Sequence, residues 1–105
     1  APCHCSLCRK AHGAGYVTWA GFEQEQVAVT GEELEWYDSS PGAQRGFCRR
    51  CGSTMFFRSE RWAGELHIAL GCVDDPLDKA PGANAFFDAH VDWMPIDRSL
   101  KQIDG

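Results

Sequence analysis

Apolar and polar positions alternate along much of this chain with a period of two, and no stretch holds a helical period for long. The clearest case is Glu65 to Val73, where Leu66, Ile68, Leu70 and Cys72 alternate with Glu65, His67, Ala69 and Gly71. That pattern predicts a strand with one buried face, which makes Cys72 a core thiol. Leu34 to Tyr37 reads the same way, with Leu34 and Trp36 on one side and Glu35 and Tyr37 on the other. Runs rich in β-branched and aromatic residues predict further strands at Tyr16 to Phe22, Gln26 to Thr30, Thr54 to Arg58 and Ala85 to Phe87, while Gln44 to Phe47 leads into the Cys48/Cys51 knuckle. Gly31 and the Ser39-Ser40-Pro41-Gly42 run are turns, and Asp74 to Gly82 is a loop. One short helical turn is expected from Cys5 to Ala11, ended by Gly13. The tail past Trp93 carries no assignable pattern. The expected fold class is all-β, short strands in small sheets tied by zinc.

A chain of 105 residues with 44% apolar residues is expected to form one domain with a modest core, to which a metal staple would add. The formal charge of -5 argues against a nucleic-acid partner, and no apolar run approaches the length of a membrane span. No signal-peptide pattern is visible, although the chain begins with Ala1 and not Met.

Six cysteines change the picture. Three stand in the run Cys3-His4-Cys5-Ser6-Leu7-Cys8-Arg9 and two in Cys48-Arg49-Arg50-Cys51-Gly52. Spacings of one and two residues are metal-ligand spacings, and a disulfide across C-x-C would be strained. Metal ligation points to a reducing compartment, so a cytoplasmic location is expected. Spacing alone leaves two arrangements open. Cys5, Cys8, Cys48 and Cys51 could close one structural zinc, as in a ribbon, leaving a non-catalytic zinc-stabilised binding module with one closed four-cysteine site. Alternatively, Cys3, Cys5 and Cys8 hold one zinc with an open fourth position, and Cys48 and Cys51 supply half of a second site. The other half would then come from upstream residues, from Cys72, or from a second copy of the chain in a homo-oligomer.

The run Cys3-His4-Cys5-x-x-Cys8-Arg9, then Ser39-Ser40-Pro41-Gly42, Arg45-Gly46-Phe47-Cys48-x-x-Cys51-Gly52-Ser53, and Ala69-Leu70-Gly71 with Asp74-Asp75-Pro76, resembles the glutathione-dependent formaldehyde-activating enzyme family. That family shares its domain with centromere protein V. The resemblance extends from Cys3 to about Trp93, and a zinc ribbon has no reason to carry the central block. It implies a β-tent fold with two zinc ions, in a single domain over residues 1–105 that lacks its N-terminal strand. Cys3, Cys5 and Cys8 match the ligands of the catalytic zinc. Cys48 and Cys51 match two of the four structural ligands; the family usually takes the others from an upstream Gly-x-Cys-x-Cys-Gly strand that this sequence does not contain, either because it was trimmed or because this member holds its second zinc poorly or not at all, and the second site is expected to be incomplete in this chain. Members often carry a histidine where this chain has Asn84; His90 is the candidate to substitute.

By resemblance the chain is a carbon–sulfur lyase whose partners are a small thiol, such as glutathione, and an aldehyde, with S-hydroxymethylglutathione as the adduct. His90 is the candidate acid or base. Arg9 and Lys10 are candidates to bind the substrate's carboxylates. The other basic residues near the cysteines, Arg45, Arg49 and Arg50, read as a solvated rim. Trp93 is placed nearest the site on family grounds, while Trp19, Trp36 and Trp62 read as core. His4, between two ligands, reads as an outward-pointing or supporting residue and not as a ligand. His12 and His67 read as packed or solvated.

Overall fold

The computed structural model describes residues 1–105 and is all-β apart from one short α-helix and four 3-10 turns. Its residues group into two compact units: Ala20–Cys72, and Ala1–Trp19 with Val73–Gly105.

The unit from Ala20 to Cys72 is built on four strands: β3 (Leu34–Ser40), β4 (Ala43–Cys48), β5 (Thr54–Ser59) and β6 (Glu65–Ala69). Consecutive strands pair antiparallel, in the order β3-β4-β5-β6. The turn at Pro41-Gly42 closes the first hairpin, with Gly42 at φ 74, a conformation that glycine adopts without a Cβ penalty. In β3 the alternation holds: Leu34 and Trp36 are partly buried, Glu35 and Tyr37 exposed. Ala43, Leu66 and Ala69 are buried, and Trp36 stacks on Phe56 at 6.2 Å between ring centroids. Arg45 does not join a solvated rim. It is buried, with its guanidinium 4.9 Å over the Phe57 ring, because its position on β4 points it into the packed face. Arg49 and Arg50 are exposed as expected.

The other unit contains β1 (Pro2–Cys3), the helix α1 (Ser6–His12), β7 (Ala83–Ala85) and β8 (Lys101–Ile103); the strand β2 (Val17–Glu23) begins in it. β1 pairs antiparallel with β2, through Pro2 with Thr18 and Cys3 with Val17, and parallel with β7, through Cys3 with Ala85. β7 continues parallel to β8. Val17, Trp19 and Phe87 are buried here together with Cys3 and Cys8. Gly13 ends α1 in the left-handed region at φ 61, as expected for a glycine after the last helical residue.

Four expectations are corrected. Residues 27–30 form no strand: Gln24–Gln26 is a 3-10 turn closed by a capping box between Glu23 and Gln26, and Val29 is 48% exposed, so its alternation with Val27 has no face to bury. The strand from Glu65 stops at Ala69 and turns into a 3-10 segment at Leu70–Cys72. β5 pairs with β6 only at Ile68 and His67, and alternation does not show where the backbone leaves the extended conformation. Cys72 is consequently exposed, with its Sγ donating to the Thr54 carbonyl at 3.7 Å, and is not a core thiol. The strand placed at Ala85 to Phe87 sits two residues earlier, because Phe86 takes φ 52 and leaves the extended region. β1 and β8, of two and three residues, are additions that the alternation does not announce.

Gly46 on β4 is closely packed within the four-stranded sheet. A Cβ there would lie 3.0 Å from Leu34 Cδ1 and 3.2 Å from Phe56 Cβ and the Trp36 ring. Overpacking of this kind costs roughly 1–3 kcal/mol. Gly46→Val should therefore lower the unfolding free energy by that amount, read by urea titration; a variant as stable as the parent would show that the sheet opens freely here.

Candidate metal centre

Three different local structures bring Cys3, Cys5 and Cys8 together. Cys3 is held in β1 between Val17 of β2 and Ala85 of β7. Cys5 is the N-cap of α1, and its Sγ accepts the Cys8 backbone N–H at 3.3 Å. Cys8 lies in the first turn of the helix and is buried with Cys3, whereas Cys5 is only half-buried. The three sulfur atoms all lie within 4.8 Å of one another. A capping geometry usually supplied by Ser, Thr, Asp or Asn is thus supplied by a metal-ligand type of residue.

The sulfurs perturb one another strongly. Hydrogen bonds from Cys3 and then Cys8 hold the Cys5 thiol down to about 2, so it is a thiolate throughout the neutral range. Cys3 is pushed far up, chiefly by its bonds to Cys5 and Cys8 and then by burial. Three ionised sulfurs in this space would repel one another, and a protonated partner relieves that repulsion in the bare chain. A divalent cation relieves it better, and thiolates are the form in which cysteines ligate. The donor set therefore fits a metal ion.

His4, between Cys3 and Cys5, is fully buried. It points inward and not to solvent. Its Nε2 lies 3.0 Å from Asn84 Oδ1, its backbone N–H donates to the Ala85 carbonyl at 2.9 Å, and its carbonyl accepts Arg9 Nε at 3.3 Å. Tyr16 and Phe87 pack on the ring at 5.1 and 5.6 Å between centroids. His90 sits edge-on to it at 6.4 Å and stacks on Phe87 at 4.3 Å. The Phe87 carbonyl, which can only accept, lies 2.6 Å from His90 Nδ1; that nitrogen carries a proton, and in the neutral ring Nε2 is the atom with the lone pair.

The remaining candidates separate. Arg9 is half-buried and engaged with the His4 carbonyl; Lys10 is exposed. Trp93 is 69% exposed, and its ring edge approaches Gly15. Cys48 and Cys51 flank a knuckle in which Gly52, at φ 83, donates to the Cys48 carbonyl and Cys48 donates to the Ser53 carbonyl. Cys51 Sγ lies 3.2 Å from Ser53 Oγ, a contact that lowers the thiol's pKa. This pair could hold a metal with further ligands, but Cys72 does not join it in a three-thiol group. His67 and His12 are packed: His67 against Trp62 and Glu65, His12 against Trp19. Sequence reasoning missed Asn84 as the partner of His4. In an extended chain His4 must point away from Cys3 and Cys5, and that alternation was the available signal.

An all-β chain with a convergent three-thiol centre is a small protein with a set of thiol side chains that could hold a metal. The sequence model of the glutathione-dependent formaldehyde-activating enzyme family matches residues 1–89, and the chain belongs to that family. A Halomonas elongata protein whose name assigns it to the same enzyme family is 31% identical over 104 residues, covering 90% of this chain and 66% of the relative. This chain therefore spans about two thirds of that relative's length. An uncharacterized lyase of Schizosaccharomyces pombe is 33% identical over 115 residues, covering 96% of this chain and 80% of its own length.

Metal binding must expel the proton that Cys3 retains, while Cys5 has none to lose. Apparent affinity should accordingly rise with pH, by about tenfold per pH unit for each proton expelled. Chelator competition between pH 6 and 8 (roughly the range where the bare chain keeps that proton) and calorimetry in two buffers read this directly. An affinity independent of pH, with no proton release, would contradict the charge distribution described.

Proposed function

We propose that this chain is a zinc-dependent carbon–sulfur lyase acting on a thiol–aldehyde adduct, such as S-hydroxymethylglutathione formed from glutathione and formaldehyde. The observation that carries the reading is the convergence of Cys3, Cys5 and Cys8 into a group that contains no fourth protein ligand. Three ligands and an open position characterise zinc sites that do chemistry, and four protein ligands those that only hold a fold. Zinc bound by three thiolates would take up an incoming thiol through sulfur and lower its pKa.

The residues then have distinct tasks. Cys3, Cys5 and Cys8 hold the metal, two of them screened from water by burial. The substrate thiol gives up its proton, its sulfur attacks the aldehyde carbon, and the carbonyl oxygen takes up a proton as the C–S bond forms. The reverse reaction returns that proton and releases the aldehyde. His90, with Nδ1 tied to the Phe87 carbonyl and Nε2 as a lone pair, is suited to carry a proton in either direction. The exposed Lys10 and the terminal guanidinium nitrogens of Arg9 supply positive charge for a thiol bearing carboxylates. Trp93 offers an exposed aromatic face. The names of the two relatives support an activity of this class.

Cys5→Ser separates metal loss from misfolding, because serine is itself a favoured N-cap and keeps α1. The variant should lose zinc affinity by more than about a hundredfold, beyond what removing an outer-shell partner costs. Glutathione-dependent exchange of formaldehyde, measured by NMR, should fall to the uncatalysed rate. A Cys5→Ser protein that keeps its zinc and its exchange rate would rule the assignment out.

A further inference from the structure

His4 and Asn84 are eighty positions apart in sequence, yet both are almost completely buried and face each other at 3.0 Å. Asn84 is held in one orientation. Its Nδ2 donates to the Asp97 carbonyl at 3.0 Å, and a carbonyl can only accept, so Oδ1 is the atom turned to His4. Oδ1 in turn only accepts, so His4 must present a protonated Nε2. His4 Nδ1 has no partner within the protein. The ring is thus clamped at one edge by Asn84 and packed by the rings of Tyr16 and Phe87.

The consequence lies one residue away on each side. His4 is the single residue between Cys3 and Cys5, and successive side chains of an extended segment point to opposite sides. A ring anchored in the interior turns both neighbouring sulfurs the other way and fixes the backbone that separates them. The main chain at His4 is pinned as well, by Ala85 on its N–H and Arg9 on its carbonyl.

We propose that Asn84 is a positioning residue for the three-thiol centre, acting through His4 to set the disposition of Cys3 and Cys5; this rests on reading that centre as the metal site. Asn84→Leu keeps the side-chain size but removes the acceptor, leaving a buried His4 N–H unsatisfied. Outer-shell partners of metal sites are worth about 10- to 100-fold in metal affinity.

The test uses the full chain and three variants: Asn84→Leu, His4→Phe and the double substitution. Zinc affinity is read by chelator competition and site geometry by the absorption bands of the cobalt(II)-substituted protein. Asn84→Leu should weaken zinc binding ten- to a hundredfold and alter the cobalt spectrum. In the His4→Phe background the same change should do little, because no buried donor remains to be stranded. A native affinity and spectrum in Asn84→Leu overturns the proposal, as does an equal loss with and without His4. Should Asn84→Leu not fold, long-range proton–nitrogen NMR of the unsubstituted metal-free chain decides: a proton on Nε2 of His4 supports the clamp, and a ring protonated on Nδ1 alone overturns it. Zinc uptake by the unsubstituted chain, with Cys5→Ser as control, tests the metal reading by itself. A chain that takes up no metal at these cysteines overturns both, whereas metal uptake with an unaffected Asn84→Leu overturns this proposal alone.

Discussion

Repulsion among three closely packed sulfurs is the constraint on which the chemistry of this protein depends. Left to itself, a segment carrying Cys3, Cys5 and Cys8 would spread its thiolates apart. The chain prevents this with ordinary backbone devices: a two-residue strand paired on both sides, a helix cap whose acceptor is a sulfur, and the first turn of a helix. Each would form with other residues in place. Together they hold the sulfurs close enough for protons to redistribute, one thiol driven down and another up. That asymmetry follows from packing three thiols within 4.8 Å of one another, an arrangement that could also hold a metal ion.

Much of the sheet was legible because its signals are local. Alternation in Leu34 to Tyr37, the Pro41-Gly42 turn and the glycine after the first helix all follow from single-residue preferences, and all appear in the structure. The cysteine cluster was legible from spacing. What could not be read depends on partners distant in the chain. Ile68 and His67 pair with β5 while Leu70 to Cys72 turn into a 3-10 segment, and nothing in residues 65–73 distinguishes them. β8 is exposed along its length and is a strand only because β7 lies next to it. Arg45 sits beside a cysteine knuckle like Arg49 and Arg50, yet its place on β4 buries it under an aromatic contact that composition does not encode.

His4 shows the same limit within the site. The resemblance drew attention to Asn84 as a position where relatives often carry histidine, and so as a departure that put a role in doubt. In the structure the asparagine makes hydrogen bonds in two directions. An amide offers an acceptor and a donor on one planar group, and both are used, toward His4 and toward the Asp97 carbonyl. A histidine at that position could also present two polar edges, but the identity of each edge would depend on its tautomer, whereas the amide's is set by the carbonyl it faces.

The costs in this molecule are also unevenly placed. The unit containing the three thiols holds a fully buried imidazole with one nitrogen lacking a protein partner, a buried asparagine, and Phe86 at a left-handed φ, immediately before the aromatic ring that stacks on His90. The unpaired His4 nitrogen and the Phe86 backbone are unfavourable taken alone: a buried polar atom left unpaired costs on the order of 1–3 kcal/mol, and a strained non-glycine φ a similar amount. A chain of this size has little stability to spare for such features. These features lie in the same unit as Cys3, Cys5 and Cys8. A three-thiol group that could hold a metal lies beside the buried polar pair, and His4, the one residue between Cys3 and Cys5, joins the two.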